Sequence, residues 1–381
     1  MLPKFASNRA AGGTVRILIA AGGTGGHLFP ALAVLEELQE LGQVEAWFVG
    51  RADRIEGRVV PALGYSLQAI PMRGFPGWRS PQVLRLPIAL AQSLWLVRQR
   101  VQEFRPHVVL ATGAYSSLPV GIVARWYGIP LVLLELNVHP GRAVRLLARW
   151  ATAIITAMEP TALHLPRRAR DRVQCWGAPV RRALRQVSTP SEARRLLGLS
   201  PELPTVAILG GSLGSARLNR VAQRLLPHAE AGRMQLLWQH GAGFTPPPGL
   251  PRTVLARPFF AAELAAFYAA ADCVVARAGA MTIAELCAVG RAAILVPYPA
   301  AAEQHQWHNA RWMESHGAAI CIADERAETE VPAQVEALLA EPERRHRLAE
   351  AARRLSRPDA AARIAQLLWQ LGTDSLSGAR A

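Results

Sequence analysis

The residues of this chain best suited to chemistry begin with a glycine cluster, Gly22-Gly23-Thr24-Gly25-Gly26, that ends in His27. Glycine tolerates positive φ and lets backbone approach a ligand closely. A helix that starts at such a turn aims unpaired N–H groups and its positive dipole end into the loop, so the chemistry on offer is anion binding. His27 adds an imidazole that titrates near neutral pH, fit either to take a proton or to contact an anion. A second cluster, Gly210-Gly211-Ser212-Leu213-Gly214, repeats the device 188 residues later. Neither is a Walker A loop, because no Gly-Lys-Ser/Thr follows, and Leu28 stands where a G-x-G-x-x-G fingerprint needs its third glycine. Each loop taken alone is equally a tight turn between strand and helix.

Two further stretches carry polar groups at strand ends. Residues 277–290, from Arg277 to Gly290, follow an apolar run at Cys273–Ala276. Thr282 and Glu285 have the spacing of a capping box, and Gly290 suits the residue just past a helix. Glu285 is therefore either a cap or a carboxylate able to accept two ribose hydroxyls. Residues 297–310 gather Gln304, His305, Gln306, His308 and Asn309 after the apolar run Ile294–Val296, where open α/β sheets place ligands. The pattern does not support a metal centre. None of the six aspartates forms a D-x-D pair, and His305 and His308 lack a carboxylate or thiol at ligand spacing.

The elements that must position these groups are short apolar strands alternating with amphipathic helical patterns. Val15–Ala20 precedes the first loop and Thr205–Leu209 the second, with Val108–Ala111 and Leu131–Leu134 between. This alternation predicts parallel sheets covered by helices on both faces, and Pro30 fits the first turn of the first helix. The chain has 381 residues, 51% of them hydrophobic and 19% charged, enough for two globular domains and not the composition of a disordered chain. Domain boundaries are expected at 1–177 plus 359–371 for the first and 178–358 for the second, with 372–381 as a flexible tail. The formal charge of +15 suits polyanionic partners without choosing among them. The four cysteines form no C-x-x-C pair and read as reduced thiols of a cytosolic protein. No secretory leader is expected from residues 1–13, which hold Lys4 and Arg9 but no apolar run. The two 19-residue stretches without formal charge, 17–35 and 106–124, contain the glycines and prolines of loops rather than a membrane span.

Taken together, GGTGGHLFPALAV (22–34), ATGAYSSLP (111–119), GAPVR (177–181), GGSLGSARLN (210–219), RAGAMTIAELCAVG (277–290) and HQWHNA (305–310) resemble one family over roughly 14–371. It is the bacterial UDP-N-acetylglucosamine:lipid I N-acetylglucosaminyltransferases, the lipid II-forming peptidoglycan glycosyltransferases. The resemblance implies an α/β fold of two Rossmann-like domains facing across a cleft, the glycosyltransferase B type. It implies transfer of N-acetylglucosamine to the C4 hydroxyl of lipid I with inversion, in cell-wall synthesis, without cofactor or metal. His27 is then the catalytic base or a diphosphate contact. The donor would be held by Thr24, Gly25, Gly211, Ser212, Phe260, Ala261, Leu264, Arg277, Glu285 and Gln306. The acceptor would be held by Gly23, Gly26, Gly113, Tyr115, Asn137 and Arg181. The chain departs from the family pattern at Leu134-Glu135-Leu136-Asn137, where the family has H-E-x-N; His139 lies two residues beyond. Leu213 and Ala278 replace polar residues, and Arg217 is displaced by one position from the usual arginine.

Such an enzyme is expected peripherally at the cytoplasmic face of the membrane, with UDP-N-acetylglucosamine, lipid I and an anionic lipid surface as partners. Cell-wall assembly proteins are further candidates, and no specific nucleic acid is expected. The segment 72–100 fits the membrane role: Arg73, Arg79, Arg85, Arg98 and Arg100 accompany Phe75, Trp78 and the stripe Leu84, Ile88, Ala91, Trp95. The same stripe could instead pack on the domain's own sheet. The competing functions are a UDP-N-acetylglucosamine epimerase of the same fold and a basic nucleic-acid-binding protein; the chain lacks the signatures of the latter.

Overall fold

The computed structural model describes residues 13–74, 80–185, 188–211, 214–260 and 263–378. They form two α/β units. The first takes in the chain to Glu135, Pro140–Pro179 and the chain from Asp359; the second takes in Leu136–His139 and Val180–Pro358.

The first unit is built on β1 (Val15–Ala20), β2 (Val44–Gly50), β3 (Ser66–Ala69), β4 (Val108–Ala111), β5 (Leu131–Glu135), β6 (Ala153–Thr156) and β7 (Val173–Cys175). Among the described residues these make a parallel sheet in the order β3-β2-β1-β4-β5-β6-β7. β1 pairs with β2 on one side and β4 on the other, Ile17 lying opposite Ala46 and Val108. β4, β5 and β6 are buried along their whole length. Helices on both faces hide such strands from water, so they are written as unbroken apolar runs rather than alternating ones.

The second unit repeats the plan with β8 (Thr205–Leu209), β9 (Gln235–Gln239), β10 (Val254–Arg257), β11 (Cys273–Ala276), β12 (Ala292–Leu295) and β13 (Ile320–Cys321), in the order β10-β9-β8-β11-β12-β13. In each sheet the order reverses beside the first strand, between β1 and β4 and between β8 and β11. That is the switch point where doubly wound sheets open a ligand crevice at their carboxyl ends.

Three expectations from the sequence change here. The first helix, Gly25–Leu41, starts inside the glycine cluster, so Pro30 is interior to it and leaves the Gly26 carbonyl without a helical partner. The last helix runs from Ala360 to Gly378, so 372–378 are helical where a flexible tail is expected. It returns to the first unit: an added Cβ at Gly42 would meet the Trp369 ring at 2.2 Å, and one at Gly372 would meet Val15 at 2.6 Å. Finally, Leu136–His139 goes with the second unit although the chain on either side of it goes with the first.

Ile364, Ala365 and Leu368 are the fully buried residues by which the last helix joins the first core. Leu368→Ala is expected to cost about 2–4 kcal/mol of first-unit stability. Asp374→Ala, at an exposed position of the same helix, should cost less than about 0.5 kcal/mol. Denaturant titrations of both variants check the contrast.

Candidate functional site

In the first unit, β1 runs into Gly22 and Gly23, Gly23 turns with φ +87°, and the helix begins at Gly25 behind an extended Thr24. A buried carboxylate holds this turn. Glu56 is fully buried, and its oxygens accept the Gly23 N–H at 2.9 Å and the Arg51 N–H at 2.9 Å. The turn leaves no room for side chains around it: a Cβ at Gly22 would lie 2.3 Å from Glu56 Oε1, and one at Gly50 would lie 2.7 Å from Glu56 Cγ. The Gly23 N–H, expected to serve the acceptor, is thus directed at Glu56, because the carboxylate needs donors where water cannot reach it. The N–H groups of the first helical turn, at Gly25 and Gly26, have no intrahelical acceptor.

His27 closes the turn. Its Nδ1 lies 2.6 Å from the Thr112 carbonyl oxygen at the end of β4. A carbonyl only accepts, so Nδ1 carries the proton and Nε2 is the basic nitrogen. Next along, Gly113 turns with φ +84°. Tyr115 is 40% exposed and packs so closely on Gly74 that a Cβ there would stand 2.9 Å from the ring. Thr24, Gly25, Gly26, His27, Gly113 and Tyr115 therefore gather at the carboxyl ends of β1 and β4.

In the second unit, β8 leads into Gly211, with φ +81°, and Gly214, with φ +79°. At Gly214 a Cβ would stand 2.4 Å from the His240 carbonyl oxygen, so only glycine fits. Ser212 and Ala261 lie outside the described residues. The helix Ala216–Glu230 begins behind Ser215, whose Oγ accepts the Leu218 N–H at 3.3 Å. Arg277 Nε donates to the same Oγ at 3.0 Å, which sets the guanidinium beside this helix N-terminus. Arg277 Nη1 also reaches Asp324 Oδ1 at 2.5 Å and the Val296 carbonyl at 3.1 Å. Arg217 faces elsewhere, onto Asp324 and Glu328. Glu328, first, and then Asp324 push its already high pKa further up.

Glu285 is not a helix cap. Its helix, Ala280–Val289, starts from Gly279 with no side-chain cap, so Thr282 and Glu285 both sit inside it. The S/T-x-x-E pattern does close a capping box at Thr189 and Glu192 instead. Gly290 ends the helix in the left-handed region with φ 66°. The Glu285 side chain is buried with 8% of its residue surface exposed, and Tyr268 Oη donates to its Oε2 at 2.9 Å. Burial raises its carboxyl pKa, while the Tyr268 hydrogen bond and the Arg181 charge act against that rise. Gln306, in the first turn of the helix His305–Ser315, accepts the Tyr298 N–H at 2.9 Å through Oε1, which leaves the amide NH2 as donor. Glu303 and Gln304, just before this helix, hold φ 51° and 52°, costly for side-chain-bearing residues.

Other expected site residues have different surroundings. Phe260, expected at the donor, is fully buried against Phe267 at 4.8 Å, and its N–H serves Gln239 Oε1, so its ring is part of the core. Leu264, beside it, is 7% exposed. Asn137 and Arg181, expected at the acceptor, belong to the second unit. Asn137 Oδ1 accepts from Asn309 Nδ2 at 3.1 Å, and the buried Asn309 also accepts the Val138 N–H at 3.0 Å, which holds the segment Leu136–His139 there. His139 stacks on His308 with ring centroids 3.9 Å apart. Sequence reasoning missed Glu56, Tyr268 and Asp324, because nothing near them in sequence marks them. An acidic residue at a helix start after β2 is the one faint signal for Glu56.

On the first unit's surface, Leu84, Ile88 and Trp95 are 77%, 61% and 58% exposed, while Ser93, Val97 and Val101 form the buried face of the helix Leu86–Phe104. The stripe does not pack on the sheet. Arg73 and Arg85 are exposed, whereas Arg100 lies over the Trp47 ring at 3.7 Å and pairs with Glu103. Phe75, Trp78 and Arg79 lie outside the described residues. Among the described residues no helix is long and apolar enough to cross a membrane.

Two parallel α/β units, each with a glycine turn and a helix N-terminus at its switch point, show the glycosyltransferase B-type fold. Residues 17–156 match the N-terminal domain of glycosyltransferase family 28 and residues 205–364 its C-terminal domain, and the chain belongs to that family. A relative from Acidithiobacillus ferrooxidans, called UDP-N-acetylglucosamine–N-acetylmuramyl-(pentapeptide) pyrophosphoryl-undecaprenol N-acetylglucosamine transferase, is 38% identical over 356 residues, 92% of this chain and 96% of its own. A relative of the same description from Parabacteroides distasonis is 36% identical over 323 residues, 83% of this chain and 87% of its own. The crystal structure of Acinetobacter baumannii MurG superposes with a TM-score of 0.71 at 25% identity, over 93% of this chain and 99% of that one. A UDP-N-acetylglucosamine 2-epimerase superposes with a TM-score of 0.64 at 12% identity, over 94% and 97%, and shares the fold alone.

Glu56→Ala should remove the charged acceptor of the Gly23 and Arg51 N–H groups, at about 1.5–3 kcal/mol for each hydrogen bond to a charged group. The expected result is a lowered unfolding midpoint together with faster amide exchange at Gly23 and Arg51. Unchanged exchange would show that the turn holds without its carboxylate.

Proposed function

We propose that this chain transfers N-acetylglucosamine from UDP-N-acetylglucosamine to the C4 hydroxyl of lipid I, the undecaprenyl-diphosphate-linked N-acetylmuramyl-pentapeptide, and so forms lipid II for peptidoglycan synthesis. The transfer proceeds with inversion and without a metal ion. The observation that carries the reading is the 38% identity with the Acidithiobacillus ferrooxidans transferase along 92% of the chain, and the two glycine turns supply its physics.

The second unit takes the donor. Glu285 accepts the ribose hydroxyls, and the Gln306 amide donates to the sugar. The diphosphate lies at the Gly211 turn against the N-terminus of the helix Ala216–Glu230, with Arg277 beside it. Leu264 and the backbone around Phe260 border the uracil. The first unit takes the acceptor, with its diphosphate at the N–H group of Gly26 and near Gly113 and Tyr115, while Thr24 and Gly25 serve the donor. His27 Nε2 accepts the proton of the C4 hydroxyl as that oxygen bonds to the anomeric carbon. The bond from this carbon to the diphosphate breaks, and its electron pair leaves on UDP. Fixed N–H dipoles and Arg277 meet the developing charge without needing to reorganise, which is what lowers the barrier.

Because the acceptor is lipid-anchored, the enzyme works peripherally at the cytoplasmic face of the membrane. The exposed stripe Leu84, Ile88, Trp95, with Arg73 and Arg85 nearby, supports docking of the first unit on an anionic surface, where each arginine adds about 1 kcal/mol.

Incubation with UDP-N-acetylglucosamine and a lipid I analogue in the presence of a chelator should yield the disaccharide product. His27→Ala is expected to lower kcat about 100-fold, the scale of general-base loss. A near-normal kcat with weakened lipid I binding would assign His27 to the diphosphate instead.

Ile88→Ser/Trp95→Ser should cut co-sedimentation with phosphatidylglycerol vesicles, and binding of the unaltered protein should fall as salt rises. Sedimentation equal to that of the unaltered protein would place the membrane contact elsewhere.

A further inference from the structure

The second unit holds a buried phenol that the transfer chemistry leaves unused. Tyr268 lies on the helix Leu264–Ala270, is fully buried, and directs its hydroxyl at Glu285 Oε2, 2.9 Å away. It is gripped at both ends. Its ring stands edge-on to Phe267, with centroids 5.8 Å apart and planes at 86°. Its carbonyl accepts Arg291 Nε at 3.0 Å, and the next carbonyl, of Ala269, accepts Arg291 Nη2 at 2.7 Å. A phenylalanine would fill the same space with no polar atom to satisfy, as the buried rings of Phe260 and Phe267 do. The hydroxyl therefore serves the carboxylate rather than the packing.

We propose that Tyr268 is a positioning residue that makes Glu285 selective for a ribonucleoside diphosphate sugar over its deoxyribose counterparts. The proposal rests on the ribose reading of Glu285. A carboxylate offers about four acceptor sites. With Oε2 tied to an immobile phenol, the side chain cannot swing, and its remaining sites point in set directions that a vicinal diol can fill together. A donor lacking one hydroxyl leaves a buried anionic acceptor unpaired, and a site built to bond a hydroxyl rejects such analogues far more strongly than an apolar pocket does. The titratable and charged groups acting on this carboxylate are Tyr268, from the helix packed against it, and Arg181, from the segment before the turn Arg182–Leu184. Both favour its ionised form and oppose the effect of burial.

The test compares the unaltered enzyme with Tyr268→Phe, using UDP-N-acetylglucosamine and its 2′-deoxyuridine and 3′-deoxyuridine analogues, with KM followed across pH. Loss of one hydrogen bond to a charged group should raise KM for UDP-N-acetylglucosamine about tenfold, with kcat moving less. The penalty for the deoxy donors should shrink. Removing the donor favours the protonated carboxyl, so the rise of KM on acidification should begin at higher pH in Tyr268→Phe. A folded Tyr268→Phe enzyme with unaltered KM, deoxy penalty and pH limb overturns the proposal. So does an unaltered enzyme that uses the deoxy donors as well as the ribose one, a result that needs no variant. Glu285→Ala separates the two layers: raised KM there with normal behaviour in Tyr268→Phe removes only the positioning role, whereas normal KM in Glu285→Ala removes the ribose reading itself.

Discussion

A strand paired on both sides can leave its sheet only at its end, and in both units the strand that does so beside the switch point, β1 or β8, runs on into a glycine turn. The backbone must turn sharply there and start a helix within a few residues, which demands positive φ at Gly23, Gly211 and Gly214. The same turn leaves the first N–H groups of the helix without intrahelical acceptors. A helix N-terminus at the sheet's switch point is thus a by-product of folding a parallel sheet, and the other polar groups of each unit are arranged around it. His27 is fixed by the neighbouring strand β4 through the Thr112 carbonyl. Arg277 follows β11, the neighbour of β8, and rests on the cap of the helix at Ser215.

Each unit also buries a carboxylate behind its site, and the two do different work. Glu56 is spent on the backbone: it takes the Gly23 and Arg51 N–H groups and so shapes the turn from within. Glu285 takes one hydrogen bond from Tyr268 and keeps a small exposed surface. A buried anion is tolerated only where donors surround it. Glu56 meets two backbone donors on folding, whereas Glu285 meets the Tyr268 hydroxyl.

The arginines of the second unit divide along similar lines. Asp324 accepts from both Arg277 and Arg217, but only Arg277 also touches the helix cap. Arg217 is drawn away by Glu328, which Arg220 shares. An arginine one position along a helix points about 100° away around its axis, enough to carry it from the turn to the ion network. Elsewhere in this unit Asp272 binds the mostly buried Arg194 and the Thr205 N–H, tying the helix Pro190–Leu196 to the start of β8.

What could be read from the sequence was local. Apolar runs bounded by glycine marked β1, β4, β8 and β11, the alternation marked two parallel α/β units, and Gly290 marked a helix end, because strand period, turn conformation and capping are properties of a few adjacent residues. Local rules failed where two local solutions competed. Thr282 and Glu285 match a capping box, yet the chain enters its helix directly from Gly279, and Pro30 looks like a first-turn residue, yet the glycines before it are already helical. Tertiary structure alone assigned Glu56 to a turn 33 residues away, Tyr268 to Glu285 across 17 residues, and Asn309 to Asn137 across 172. It also buried Phe260 and exposed the stripe from Leu84 to Trp95. A buried polar group finds its partner only when the whole chain packs and water is excluded, and no pattern of neighbouring residues encodes which distant group will be there.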